Sequence, residues 1–265
     1  MKPCFGFMRR WFQLFFVDHR GCGFSDPCPS RTLDLRNNFE DLETLRQSFG
    51  FEKINVLGTS YGGMVASAYA ARYPKNIDLL FLIGTAGSGD FIRAAREYLA
   101  QHGTPKQIRV ADRLWKGTFQ TQVQFRHFSR IFDRLYVRRR TGSSWTKSKP
   151  LVDFNLDALN HGFRDVLPSW SVLKELRKVR APTFIGVGKH DWICPVSQSE
   201  ALAEALPHAV FKIYTHSAHS PYCEEPRSFQ KDIALFLKNV GRLCEAASDS
   251  PPTRRVGLLA IAIIV

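Results

Sequence analysis

Nothing in this sequence calls for a metal scaffold, a disulfide framework or a lipid bilayer. Its six cysteines (Cys4, Cys22, Cys28, Cys194, Cys223 and Cys244) form no C-x-x-C pair and no zinc-finger spacing. Thiols so scattered fit a reducing, cytoplasmic setting, and 265 residues bury enough core to dispense with staples. The histidines show no H-x-x-x-H beside a carboxylate pair, so no metal and no cofactor is expected. The apolar run 256–265 stops at ten residues, half of what a membrane-spanning helix needs, and receives no role. The amino terminus sets Lys2, Arg9 and Arg10 before an aromatic run, as a secretory leader would. It has no small-residue cleavage site, however, and passes straight into Asp18-His19-Arg20-Gly21, which reads as a strand and its loop.

Positive charge is what the chain has in excess. Of a formal net charge of +13, a surplus of 11 lies in residues 85–180, where 19 Lys and Arg face 8 Asp and Glu. No nucleic-acid motif or interleaved aromatic pattern accompanies it, so nucleic acid is not an expected partner and a solvated basic face is the simpler account, with an anionic ligand second. No expectation attaches to the oligomeric state.

The chain is organised around Lys53-Ile54-Asn55-Val56-Leu57-Gly58-Thr59-Ser60-Tyr61-Gly62-Gly63, an apolar run ending in G-x-S-x-G before an alanine-rich helix at 64–73. A buried strand feeding a tight glycine turn lifts Ser60 to a helix start, where the Tyr61 N–H faces developing negative charge. Strands at 14–17, 54–57 and 77–83 alternate with helices, which predicts a parallel α/β sheet. Asn38 is the expected N-cap of the first helix, with Gly50 past its end. The pattern turns helical, aromatic and basic at 85–170, an inserted cap in which Trp115, Phe119, Phe125 and Phe128 serve packing or line a pocket. The sheet resumes over 171–240, and 241–265 reads as a disordered tail. Residues 12–84 and 171–240 thus form two parts of one core.

A serine hydroxyl needs a base within reach and a carboxylate to orient that base. Asp191 follows one later strand and His219 the next, so both fall with Ser60 at the carboxyl ends of strands. Asp191 has a second reading as a helix cap, and His216 competes with His219. His219 is favoured because Pro221 and Glu225-Pro226 lead from it into the last helix. Asp18 reads as a hydrogen-bonding partner within its loop. Cys22, between two glycines, is the one cysteine worth testing for reactivity.

Asp18 through Asp26, the turn at Ser60, Gly188 through Pro195 and His219 through Pro226 together resemble the α/β-hydrolase superfamily, and within it the prolyl aminopeptidase (proline iminopeptidase)-like branch. The resemblance covers about residues 12–240. It implies a mostly parallel sheet flanked by helices under a helical cap, with Ser60 as nucleophile, Asp191 as acid, His219 as base and Tyr61 giving one oxyanion N–H. The implied reaction is hydrolysis of an ester or amide in a small molecule or short peptide through an acyl-enzyme.

Two departures shape further expectations. The family carries strands and a His-Gly-Gly-type loop ahead of the segment that opens this chain, and that loop gives the second oxyanion donor. Residues 1–11 hold nothing like it, so the expected sheet is N-terminally truncated, with an opening between the strand at 14–17 and the strand ending at Leu57. A truncated product or mis-started gene model, with little or no activity, is one resulting expectation, which N-terminal mass spectrometry of the native protein tests. The second departure is the basic cap, since an aminopeptidase must bind a cationic amino terminus. Glu97, Asp112, Asp133, Asp153, Asp157 and Asp165 are the available carboxylates. Thr59 and Tyr61 also differ from the branch's Gly-x-Ser-Trp-Gly turn, so a carboxylesterase or lactonase acting on a small acyl substrate is the rival. An epoxide hydrolase or dehalogenase would need aspartate in place of Ser60.

Overall fold

A computed structural model describes residues 2–138, 153–246 and 258–264. Six parallel strands make one sheet: β1 (Phe12–Asp18), β2 (Ile54–Thr59), β3 (Ile77–Ile83), β4 (Thr183–Gly188), β5 (Val210–Tyr214) and β6 (Leu258–Ile264). Their spatial order is β1-β6-β2-β3-β4-β5. The helices are α1 (Lys2–Phe5), α2 (Leu35–Ser48), α3 (Tyr61–Arg72), α4 (Asp90–His102), α5 (Pro105–Lys116), α6 (Gln122–Tyr136) and α7 (Leu156–His161). They continue with α8 (Leu173–Leu176), α9 (Val196–Ala205), α10 (Pro221–Glu224) and α11 (Pro226–Ala246).

β3 shows why the sheet is covered on both faces. Leu80 and Leu82 join the core that contains α2, α3, α9 and the helices α4–α6, while Leu79, Phe81 and Ile83 join a second core built from Phe5, Phe12, Phe184, Phe229 and Phe236. A parallel strand buried twice over reads as a continuous apolar run, and each large side chain removed from water contributes about 1.5–3 kcal/mol. Small residues on α3, among them Ala66 and Ala70, let that helix lie close against β2 and β3.

Helices α4 to α7 leave the core and return to it at one place. Ser88 pairs with Ser171 in an antiparallel bridge, Gly89 N–H donates to Trp170 O, and Val172 N–H donates to Gly87 O. Local chemistry starts these helices: Thr104 and Gln107 form a reciprocal capping box on α5, and Thr121 caps α6.

Three expectations change. Residues 241–265 are not simply a disordered tail: α11 runs to Ala246, and β6 occupies the place between β1 and β2 that was expected to stand open. β6 pairs with β1 from Phe12↔Leu258 to Asp18↔Ile264 and with β2 from Asn55↔Ala260 to Gly58↔Ile263. The physical reason is that an open position leaves two rows of backbone donors and acceptors without partners, and the apolar, β-branched run 258–264 suits a strand buried on both faces. Second, α2 is capped by Asp34, whose carboxylate accepts from Asn37 N–H, and not by Asn38, which lies inside the helix. Third, the thiols are not all reduced: Cys4 and Cys223 form a disulfide, while Cys22, Cys28 and Cys194 are free. No described helix is long and apolar enough to cross a membrane.

Candidate active site

The turn after β2 is shaped by exclusion. A Cβ on Gly58 would stand 2.2 Å from the Gly62 carbonyl oxygen, so only glycine lets the strand end pass this close to the first turn of α3. Ser60 takes φ 54° and ψ −126°, and it is the one non-glycine residue with positive φ among the described residues. Such a backbone costs about 1–3 kcal/mol and persists only where its surroundings fix it. Here Ser60 N–H donates to Ile83 O at 3.0 Å, and the Thr85 hydroxyl donates to Ser60 O at 2.7 Å. α3 begins at Tyr61, so the Tyr61 N–H stands at the positive end of a helix.

The second half of the site comes from β4 and β5. After β4, Asp191 accepts from Ile193 and Cys194 N–H through Oδ1, both at 3.0 Å, and contacts His219 Nδ1 through Oδ2 at 2.7 Å. The Asp191 side chain is fully buried and that of His219 is 11% exposed. An ionised carboxylate only accepts, so Nδ1 carries the hydrogen and Nε2 keeps its lone pair, the tautomer a general base requires. The aspartate thus braces the turn before α9 and orients the histidine, but it does not cap α9, whose N-cap position is Pro195.

The His219 loop is held by groups that the sequence did not single out. Glu224, buried on α10, accepts from Ala218 and Ser220 N–H through Oε1 and from Arg138 N–H through Oε2. Tyr136, at the end of α6, accepts from His219 N–H at 3.2 Å and sets its ring 5.4 Å from the imidazole. His216 is passed over: it is exposed, and its N–H donates to Glu225. The signal for Glu224 was its place five residues after His219, a spacing that means little until the chain folds back into α10.

Gly84 joins the two halves. It follows Ile83, the partner of Ser60, and takes φ +53°. A Cβ there would stand 2.9 Å from the His219 carbonyl oxygen and 3.3 Å from Asp191 Oδ2. The turn carrying Ser60 and the Asp191–His219 pair therefore meet across one residue at the end of β3.

Around the Ser60 turn, Asn38 donates to the Tyr61 hydroxyl at 2.9 Å, and the His19 ring meets the Tyr61 ring edge-on at 5.3 Å. His19 is buried, which lowers its pKa to about 4 against opposing attraction from Asp18 and Asp41. Asp18 accepts from Phe24 N–H, the loop-bracing part expected of it. Burial pushes the Cys22 thiol up to about 11, which leaves it protonated at neutral pH and removes the case for reactivity. Trp115, Phe119, Phe125 and Phe128 pack among themselves and against Phe132, Phe163 and Trp192, so packing is the part they play. Among the described residues no group of three or more His, Cys, Asp or Glu stands placed to hold a metal ion.

Comparison with known proteins bears on the fold and the family. The chain is 26% identical over 233 residues to "Proline iminopeptidase PfmaB" of Pestalotiopsis fici, covering 86% of this chain and 82% of that protein. It is 28% identical over 240 residues to a proline iminopeptidase of Saccharolobus solfataricus, covering 86% and 76%. An alpha/beta fold family hydrolase of Bacillus anthracis superposes with a TM-score of 0.69 at 22% identity, covering 82% of this chain and 80% of that one. The family model described as alpha/beta hydrolase fold matches residues 8–226, and the chain belongs to that family.

Proposed function

We propose that this chain is a serine hydrolase in which Ser60, His219 and Asp191 act together on an ester or amide bond. The observation that carries the reading is the meeting at Gly84 of the strained Ser60 turn with an imidazole oriented by a buried carboxylate. Ser60 Oγ attacks the carbonyl carbon while His219 Nε2 takes its proton. The tetrahedral oxyanion faces the Tyr61 N–H at the start of α3, the imidazolium returns the proton to the leaving group, and water repeats the sequence on the acyl-enzyme. Asp191 stays ionised throughout and compensates the imidazolium.

Similarity to two proline iminopeptidases supports amide cleavage next to a free amino terminus. One observation favours the rival, hydrolysis of a small ester or lactone. Of the carboxylates in the cap, Glu97 pairs with Arg93, Asp112 with Lys116, Asp153 with Arg126 and Asp165 with Arg164, all on exposed side chains. These four are engaged in exposed ion pairs, Asp153 across to α6 and the others within or beside their own turns, and so are less free to take a substrate ammonium. The Cys4–Cys223 disulfide speaks against the cytoplasmic setting that scattered cysteines suggested.

A fluorophosphonate probe with intact-mass readout tests the core of the reading. One adduct is expected, lost in Ser60→Ala and slowed at least about 10³-fold in His219→Ala. Equal labelling of the Ser60→Ala variant would sink the assignment. Proline arylamide against aryl acetate turnover then separates the two bond types.

A further inference from the structure

The described arginines of the cap are unevenly paired: three lie beside carboxylates, while Arg96, Arg109, Arg113 and Arg130, like the two that line the cavity below, form no ion pair among the described residues. Arg93, Arg126 and Arg164 each lie beside a carboxylate on the protein surface. Arg134 and Arg138, at the end of α6 and just beyond it, have no carboxylate partner for their guanidinium groups among the described residues. Both line a cavity of about 250 Å³, which Tyr98 of α4, Leu135 and His190 complete.

Among the described residues the charges acting on His190 are positive, while Tyr98 feels both Arg138 and, more weakly, Asp191. His190 is followed in the chain by Asp191, and its pKa is lowered, first by burial and then by the charges of Arg138, Lys189 and His216. The carboxylates of the neighbourhood are already engaged. Asp191 serves His219 and its own turn; Glu224 accepts three backbone N–H groups; Glu225 accepts from His216 N–H and the Ser217 hydroxyl. Asp133, one position before Arg134, also has a partner. Guanidinium groups left without a counter-charge around a concave space form a receptor for an oxyanion, since their planar forks match carboxylate and phosphate geometry. Tyr98 and Leu135 give the same cavity apolar wall.

We propose that this cavity binds a small oxyanion, a carboxylate or phosphate group carried on a compact organic body, through Arg134 and Arg138 with His190 at its edge. The cavity borders the His219 loop, but anion binding there uses no step of Ser60 chemistry, so it stands or falls independently of the hydrolytic reading.

The test uses the full chain as Ser60→Ala, which prevents turnover, and follows the His190 ring by NMR at low ionic strength, with His190→Gln giving the assignment. Benzoate and inorganic phosphate are titrated separately against sodium chloride at matched ionic strength. Saturable binding of either anion with a His190 pKa raised by about one unit is expected, because a nearby negative charge favours the imidazolium. Saturation by benzoate alone assigns the apolar wall to the ligand body; saturation by phosphate alone assigns the ligand to the phosphate class. In Arg134→Gln/Arg138→Gln the affinity should fall at least about tenfold. A response no larger than that of chloride, or one that survives the double substitution in a chain with unchanged thermal unfolding, would overturn the proposal.

Discussion

The turn at Ser60 and the loop at His219 lie side by side at the end of β3, yet steric exclusion and hydrogen bonding hold them in different proportions. The turn is fixed mainly by exclusion: no Cβ fits at Gly58, and the serine sits at positive φ because strand and helix leave it no other path. The loop also meets exclusion, since a Cβ on Gly188 would stand 1.8 Å from Ala218 O, but it adds a larger share of attraction. Asp191 after β4, Glu224 on α10 and Tyr136 on α6 each accept from or contact it. A sterically fixed segment tolerates almost no change at a few positions. A polar-fixed segment degrades by steps as its partners are removed one at a time.

The largest effect that sharpens this contrast comes from the Cys4–Cys223 disulfide, which ties the start of the chain to α10 behind the histidine loop across a sequence separation of 219 residues. Closing so long a loop restrains the unfolded chain by about 5 kcal/mol in the chain-entropy account. Cys4→Ser should therefore lower the urea midpoint by the corresponding amount, as should reductant on the parent chain. An unchanged midpoint in both would mean that the tether contributes nothing to the folded ensemble.

On the other side of the comparison, Gly58→Ala places a methyl group 2.2 Å from the Gly62 carbonyl oxygen, between two pieces of backbone that cannot both stay where they are. The expected cost is about 4 kcal/mol, at the upper end for single substitutions, together with loss of probe labelling at Ser60. Thermal unfolding and labelling should fail together. Retention of both would show that the turn is not sterically fixed.

Acid titration probes the Ser60 side of the comparison through His19. His19, against the ring of Tyr61, is held neutral with a folded pKa of about 4 below its ordinary 6.5. As pH falls, the unfolded chain takes up this proton first, so the associated stability is complete above 6.5 and lost between 6.5 and 4. Two and a half units correspond to about 3 kcal/mol. His19→Gln should flatten the stability profile across that window. Glu43, held down to about 2 chiefly by its hydrogen bond to Arg46, loses its contribution only as pH drops from 4.5 toward 2, so the two windows barely overlap. A profile equally steep in His19→Gln would assign the acid sensitivity elsewhere.

The same contrast explains what could be read in the sequence. The Ser60 turn was legible because steric constraints leave a local record: G-x-S-x-G between an apolar strand and an alanine-rich helix. Asp191 and His219 were legible by their order after later strands. Their supports were not, because Glu224 and Tyr136 become neighbours of His219 only after α6 and α10 pack against one loop, and no spacing in the chain encodes that meeting. The apolar character of 258–264 was legible, yet the role of these residues depends on a place between β1 and β2 that exists only in three dimensions. Asn38 resembled a cap because Asn favours caps, but Asp34, four residues earlier, satisfies the free N–H groups and leaves Asn38 to hold Tyr61.

The finest test concerns a single oxygen. Glu224 holds the loop with both carboxylate oxygens, Oε1 on the N–H groups that flank His219 and Oε2 on Arg138 N–H at the end of the cap. Glu224→Gln keeps the shape and one acceptor, but it must set an amide N–H₂ against a backbone N–H on one side. The lost bond and the facing donors together should cost about 2 kcal/mol. If the residue positions His219, labelling of Ser60 should slow at temperatures where the variant remains folded, and the pH midpoint of labelling should move as the imidazole loses its fixed orientation. A variant that is less stable but labels at the parent rate and with the parent pH midpoint would reduce Glu224 to a structural brace. The polar-fixed half of the site would then owe its geometry to Asp191 and Tyr136 alone.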